Sequence, residues 1–125
     1  MSARPYRVLV TGSRDWTDID VVRDALVAAR YQSGPMVVVH GACPNGADAM
    51  ASWWTRQFRH LDITEEKHPA NWQLNGKRAG FIRNAQMVNL GADLCLAFIK
   101  DGSRGASHTA RLAEEAGIPT RKWTA

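Results

Sequence analysis

The sequence predicts an α/β protein built on a doubly wound, Rossmann-like parallel sheet with helices on both faces. Short apolar runs without polar alternation, which are typical of strands buried on both faces, recur along the chain. Between them lie segments whose apolar residues repeat at helical spacing, and glycine-rich turns follow several of the runs. Because crossovers between parallel strands are right-handed, we expect about five strands in the spatial order 3-2-1-4-5.

Five segments have the character of strands. The segment DITEEK alternates only weakly between polar and apolar residues, so it is expected at an edge of the sheet. The predicted strands cover residues 7–11, 36–40, 62–67, 93–99 and 119–123.

Four helices are predicted between these strands. Gly34-Pro35, Gly91 and Gly117 end three of them, and residues 68–80 are expected to form an irregular connection. The predicted helices are residues 19–33, an apolar stripe from Ala47 to Leu61, a stripe from Phe81 to Val88, and residues 106–116.

Length and composition favour one small domain. The chain has 125 residues, and we expect a single domain over residues 1–125. It has no run of about 18 apolar residues, the length that a membrane span needs. The apolar run Val8-Leu9-Val10 is too short for the core of a signal peptide, which favours a cytoplasmic location. Cys43 and Cys95 fit no metal or redox spacing, so we expect reduced thiols and no metal site.

The charge balance is mildly basic. Sixteen basic and twelve acidic residues give a net charge of +4, which suits an anionic ligand such as a phosphate. The basic residues are scattered along the chain, so a solvated surface explains them equally well. No basic stripe with interleaved aromatic residues is visible, which disfavours nucleic acid as a partner without excluding it.

Three glycine-rich turns follow predicted strands, at residues 11–14, 41–48 and 102–107. Because the carboxyl ends of parallel strands meet at one edge, these turns are expected close together. Turns that lead into helices offer free backbone N–H groups. Phosphate oxygens can approach these groups closely where the residue is glycine, because glycine has no side chain. The turns therefore predict a phosphate-bearing ligand, although glycine also serves tight βα turns. Their candidate ligand-binding residues are Gly12, Ser13, Arg14, Gly41, Gly46, Ala47, Asp48, Gly102, Ser103, Gly105, Ala106 and Ser107.

Further polar residues are expected near these turns. Arg83 and Asn84, on the third predicted helix, are ligand-binding candidates because that helix could face the cleft. Asp48 could accept a ribose hydroxyl, and its alternative role is to cap the helix that it begins. His40 ends a strand and is expected to be buried and hydrogen-bonded.

Tryptophans supply the candidates for contact with a base. Trp16 and Trp72 each follow a turn and could stack on a base, and packing in the core is the alternative for each. Of the adjacent Trp53 and Trp54, one is expected in the core and the other at a subunit interface.

Seven stretches carry a resemblance to a known family. They are RVLVTGSRDW, VVVHGACPNGADAMA, PANW, GKRAGFIRNAQMV, GADLCLAF, GSRGASHTA and AGIP, and together they cover nearly the whole chain. In this combination the chain resembles the YspA-like, cpYpsA-related branch of the SLOG superfamily of Rossmann-like proteins. That superfamily includes the Lonely-guy phosphoribohydrolases, the DNA-processing protein DprA, and sensor domains for nucleotide-derived signals. The resemblance implies a nucleotide or NAD-derived ligand and a homo-oligomer.

The resemblance to the Lonely-guy enzymes is partial. Those enzymes carry an arginine on the helix before a Pro-Gly-Gly-x-Gly-Thr-x-x-Glu motif, and Arg83 matches that arginine. Their phosphate-binding core falls on residues 102–106, with Ser103 in place of the second glycine. Their catalytic glutamate falls on Thr109, which supplies no carboxylate.

If the protein is an enzyme, the resemblance implies Arg83 as a catalytic residue. Asp48 and His108 are then the candidates to replace the missing glutamate.

Three functions remain in competition. The leading hypothesis is binding or sensing of a nucleotide-derived small molecule at the three turns, which the missing glutamate favours. The second is a phosphoribohydrolase-like enzyme that cleaves the N-glycosidic bond of a nucleotide. The third is DprA-like binding of nucleic acid. The identity of the ligand and a cellular or viral origin stay open.

Overall fold

Five strands form one sheet: β1 (Tyr6–Gly12), β2 (Met36–His40), β3 (Ile63–Lys67), β4 (Leu94–Ile99) and β5 (Thr120–Thr124). The structure is a computed structural model that describes residues 5–125, so residues 1–4 of the predicted domain lie outside the described residues. Every neighbouring pair of strands is parallel, and the order is β3-β2-β1-β4-β5. The predicted fold class and strand order are therefore confirmed.

The helices are α1 (Ile19–Ser33), α2 (Gly46–Gln57), α3 (Trp72–Asn75), α4 (Ala79–Leu90) and α5 (Arg104–Glu115). α2 is shorter than predicted, because the chain leaves the helix at Phe58 and forms a 3-10 turn over Arg59–Leu61. The connection over residues 68–80, which was expected to be irregular, contains α3. Asn71 caps this helix, because the Asn71 side chain accepts from the N–H of Leu74 at 3.0 Å. Within residues 5–125, no helix combines the length and the apolar character that crossing a bilayer requires.

Two apolar layers cover the two faces of the sheet. Successive side chains of a strand point to opposite faces, so Val8 and Val10 enter one layer and Leu9 the other. The first layer includes Phe98 of β4 and the inner faces of α1 and α2. The second layer includes Met87 of α4 and the inner face of α5. Helices thus lie on both faces, and β1 is buried between them.

Arg7, at the start of β1, connects the edge strand to the centre of the sheet. Its guanidinium donates to both carboxylate oxygens of Glu66 on β3, at 2.9 and 2.8 Å. Its Nε donates to the carbonyl of Gly91, which follows α4, at 2.9 Å. The ring of His68 also lies 2.7 Å from the Glu66 carboxylate. The hydrogen bonds from Arg7 and His68 hold the pKa of Glu66 down to about 2.

We expect Glu66 to make the fold sensitive to acid. Its pKa is about 2 in the folded protein and 4.5 ordinarily. Because folding lowers this pKa, the stabilisation is complete above pH 4.5 and is lost as the pH falls toward 2. The side chain is 35% exposed, so we expect the effect to be no more than about 1 kcal/mol.

Urea unfolding of the wild type and of Glu66→Gln at several pH values across that window measures the effect. The free energies of unfolding of the two proteins should converge as the pH falls. A difference that stays constant across the window would contradict this role of Glu66.

Candidate functional site

A pocket of about 470 Å³ opens at the carboxyl edge of the sheet, where β1 and β4 end. The end of β1, the segments after β2 and β4, the first turn of α5 and one face of α4 line it. Doubly wound sheets bind their ligands at this edge, beside the switch point between β1 and β4. The predicted candidates that line the pocket are Gly12, Arg14, Asp48, Trp72, Arg83, Asn84, Ser103, Gly105 and Ala106.

The remaining candidates lie behind the lining or beside it. The hydroxyl of Ser13 is buried and joins β1 to β4, because it accepts from the N–H of Lys100 at 2.8 Å. The candidates outside the lining are Ser13, Trp16, Gly41, Gly46, Ala47, Gly102 and Ser107.

Sequence reasoning missed several residues that line the pocket. Gly80 and Met87 share the face of α4 that carries Arg83, since they lie three and four residues from it. Helical periodicity could have found them. Lys100 and Asp101 directly follow β4 and also line the pocket. Their position immediately after a predicted buried strand could have identified them.

Two of the conspicuous glycines make room for the protein itself. A Cβ on Gly12 would overlap the Cβ of Ala47, so Gly12 allows α2 to pack directly against β1. Gly46 has a φ of 75°, and a Cβ there would overlap the carbonyl of Ser13. Both glycines are therefore required by the packing of the protein itself, and contact of Gly12 with a phosphate stays a prediction because its backbone also lines the pocket.

Asp48 holds the loop that precedes its helix. Its Oδ2 accepts from the N–H groups of Gly41 at 3.1 Å and Cys43 at 3.4 Å. Burial raises the pKa of the Asp48 carboxyl, and the N–H of Cys43 and the charge of Arg83 oppose that shift. The carboxyl also lines the pocket, so contact with a ribose hydroxyl stays a prediction beside the observed role in the loop.

His40, at the end of β2, is buried and hydrogen-bonded as predicted. Its Nδ1 accepts from the N–H of Ala42 at 3.0 Å, so its proton lies on Nε2, which donates to Glu65 at 2.7 Å. The N–H of Ala47 donates to the carbonyl of Ser13 at 3.4 Å. The N–H groups of Gly41, Ala42, Cys43 and Ala47 thus have partners within the protein, so most of this turn is engaged internally and phosphate binding there stays a prediction.

The first N–H groups of α5 are free. The first helical hydrogen bond runs from the N–H of Ser107 to the carbonyl of Ser103 at 3.0 Å, which leaves residues 104–106 without a helical acceptor. The side chain of Ser103 does not cap the helix. No neighbouring atom lies within 4 Å of the place where a Cβ on Gly105 would sit. This turn combines donors with open space.

Arg83 is 8% exposed and donates only to neutral oxygens. Its Nη1 donates to the carbonyls of Gly41 and, at 3.2 Å, His68. Its Nε donates to Oδ1 of Asn84 at 2.7 Å. Among residues 5–125, no carboxylate forms a salt bridge with this guanidinium. A buried cation without an ion pair is costly, so an anion in the pocket would supply the missing counter-charge.

The two tryptophans predicted to stack on a base lie in different environments. Trp72 is 49% exposed and lines the pocket. Trp16 is 5% exposed, its ring lies 5.6 Å from that of Phe98, and its Nε1 donates to the carbonyl of Asp18 at 2.9 Å. For Trp16 the alternative, packing in the core, is what the structure has, because its ring and its N–H are already engaged there.

The position of the Lonely-guy glutamate does not face the pocket. Thr109 is buried, and its hydroxyl donates to the carbonyl of Gly105 at 3.0 Å. His108 also lies outside the lining. In the part of the chain that the structure describes, no cluster of His, Cys, Asp or Glu is placed to hold a metal ion. The carboxylates that line the pocket belong to Asp15, Asp48 and Asp101.

The fold and the site define a Rossmann-like α/β protein with a pocket, lined by the buried guanidinium of Arg83, at the carboxyl edge of its sheet. A model of the YspA, cpYpsA-related SLOG family matches residues 6–74, and the chain belongs to this family. The matched residues include Gly12 and Asp48 and end before Arg83. Membership of the SLOG family suggests a nucleotide-related ligand that is bound or processed.

A viral protein is similar over most of the chain. The Gene 61 protein of Mycobacterium phage D29 is 47% identical over 116 residues, which are 90% of this chain and 92% of the phage protein. Its name states no activity. No solved structure matches the chain significantly.

Alanine substitutions should separate the glycines of the site into two classes. Gly12→Ala forces a Cβ into Ala47 and should destabilise the fold by about 1–3 kcal/mol. A Cβ on Gly80 would lie 3.6 Å from Trp72 and 3.8 Å from Arg83, which are ordinary contacts. Because alanine favours a helix, Gly80→Ala should stabilise the fold by up to about 1 kcal/mol. Urea denaturation measures both variants, and effects of the same sign would contradict this division.

Proposed function

We propose that the protein binds a phosphate-bearing, nucleotide-derived small molecule, with the phosphate between Arg83 and the first turn of α5. The observation that carries the proposal is the guanidinium of Arg83. It is buried, it donates only to neutral oxygens, and it lines the pocket. A phosphate there would form charge-assisted hydrogen bonds and compensate the buried charge.

The start of α5 supports a phosphate in particular. A phosphate has several oxygens, so it can accept from the guanidinium and from the free N–H groups of residues 104–106 together. The open space over Gly105 admits the anion close to the backbone. Lys100 adds a further cation to the same lining.

The rest of the ligand is inferred from the family and from the other side of the pocket. Membership of the SLOG family supports a nucleotide-related compound. Asp48 lines the pocket as a candidate acceptor for ribose hydroxyls, and Trp72 presents a half-exposed ring. Because the N–H groups of Gly41, Ala42, Cys43 and Ala47 are used internally, a ligand with one phosphate-binding end is favoured over a dinucleotide held at two turns.

Binding is favoured over cleavage by the environment of the residue in the glutamate position. Thr109 supplies no carboxylate and is buried behind Gly105. Glu114, further along the same helix, pairs with Lys122 at 2.8 Å and lies outside the lining. Cleavage of an N-glycosidic bond remains the second candidate, because the carboxyl of Asp48 shares the pocket with Arg83.

Equilibrium dialysis against nucleoside phosphates, NAD and ADP-ribose, with mass spectrometry of the retained compounds, tests the proposal. The wild type should retain at least one of them. Arg83→Met removes the charge, and Gly105→Ala fills the space over the first turn of α5 while favouring the helix. Each should weaken binding by about tenfold or more, since a hydrogen bond to a charged group contributes about 1.5–3 kcal/mol.

Arg111→Ala is the matched control. Arg111 is an exposed cation on α5 outside the pocket, so this variant should bind like the wild type. Retention of no compound by the wild type would overturn the proposal. So would unchanged affinity in both Arg83→Met and Gly105→Ala.

Incubation of the wild type with a retained nucleotide separates binding from cleavage. We expect the compound to be recovered intact by chromatography, because no glutamate occupies the position of Thr109. Release of free base that Asp48→Asn abolishes would instead establish the phosphoribohydrolase-like alternative.

A further inference from the structure

Arg14 and Trp72 face each other at the pocket. Arg14 lies in the turn after β1, and Trp72 is the first residue of α3. The guanidinium carbon of Arg14 lies 5.6 Å from the centroid of the Trp72 ring, and both side chains line the pocket. Each residue is exposed, so the pair is open to solvent.

Arg14 and Trp72 already form a cation–π contact, since 5.6 Å from the ring centroid lies within the roughly 6 Å at which a guanidinium is attracted to an indole face. Atoms in van der Waals contact lie about 3.5–4 Å apart. A planar ring inserted between them would need about 7 Å, twice the contact distance. An outward shift of the Arg14 side chain by about 1.5 Å would therefore admit one aromatic ring.

Neither side chain is fixed by another polar partner. In the described part of the chain, the Arg14 guanidinium and the Trp72 indole N–H form no hydrogen bond or salt bridge, and their mutual contact is the one that joins them. The edge of the Trp72 ring lies over Gly80, whose missing side chain also leaves space beside Arg83. The slot and the buried cation thus adjoin the same stretch of α4.

We propose that Arg14 and Trp72 form a slot that holds the base of the ligand, stacked between the guanidinium and the indole ring. This inference rests on the proposed function and adds the class of base. A guanidinium attracts the electron-rich face of a neutral aromatic ring and repels a cationic one. The guanidinium side of the slot therefore favours nucleotides with a neutral base, such as a purine, and disfavours nicotinamide mononucleotide, whose oxidised ring carries a positive charge.

Comparison of adenosine 5′-monophosphate, ribose 5-phosphate and nicotinamide mononucleotide by isothermal titration tests the slot. The purine nucleotide should bind the wild type about five- to a hundredfold more tightly than ribose 5-phosphate, as expected for one stacked base. Nicotinamide mononucleotide should bind no more tightly than ribose 5-phosphate. Trp72→Ala and Arg14→Ala should each lower the affinity for the purine nucleotide more than the affinity for ribose 5-phosphate and so remove most of the purine preference.

Two variants serve as controls. Trp53→Ala removes a tryptophan of α2 that is also 49% exposed but lies outside the pocket, and it should leave the purine preference intact. Arg14→Lys keeps the charge without a planar group, so it should retain only part of the preference.

The outcomes distinguish this inference from the function on which it rests. Equal affinity of the wild type for the purine nucleotide and ribose 5-phosphate would overturn the slot and leave phosphate binding standing. A purine preference that survives both Trp72→Ala and Arg14→Ala would also overturn it. If neither phosphate compound binds, the proposed phosphate site fails and the slot fails with it.

Discussion

The site depends on one buried charge, the guanidinium of Arg83, which is held in place by neutral oxygens. An isolated cation in a protein interior is expensive, and hydrogen bonds to carbonyls orient it without neutralising it. Asp48 is close enough for its pKa to respond to this charge, but it forms no salt bridge with Arg83 and is occupied by the loop after β2. We therefore propose that an anion from outside the chain completes the electrostatic balance of the pocket. Gly41 contributes by the absence of a side chain, since a Cβ there would overlap the guanidinium.

The carbonyls that hold Arg83 are themselves positioned by the ends of β2 and β3. The backbone N–H of His68 donates to the carbonyl of His40 at 2.9 Å, which continues the pairing of these strands. The ring of His40 is fixed by Glu65, and the ring of His68 contacts Glu66. Two adjacent histidine–glutamate pairs thus fix the backbone on which Arg83 rests. Rigid support of this kind pre-organises a binding site, because the ligand does not have to order it.

The fold was predictable because apolar runs alternate with helical stripes and the handedness of crossovers leaves few topologies. The position of the pocket followed from that topology. The roles of the glycine-rich turns could not be predicted. A sequence does not show which backbone N–H groups already donate to neighbouring residues, as those of Gly41 and Cys43 donate to Asp48. In sequence, Gly12 and Gly105 both precede predicted helical segments and look alike. Only the packing shows that Ala47 fills the space beside Gly12, whereas the space beside Gly105 is open. Likewise, only the structure shows that Trp72 is exposed at the pocket whereas Trp16 is buried in the core.

The most direct measurement of the central claim is a titration with inorganic phosphate followed by ¹H–¹⁵N NMR. The account predicts that the Nε–H signal of Arg83 and the backbone signals of Gly105 and Ala106 shift together and saturate with one dissociation constant. The N–H signals of Ala42 and Ala47, which have partners within the protein, should move little. Large shifts in the turn after β2 without any at Arg83 and Gly105 would contradict the account.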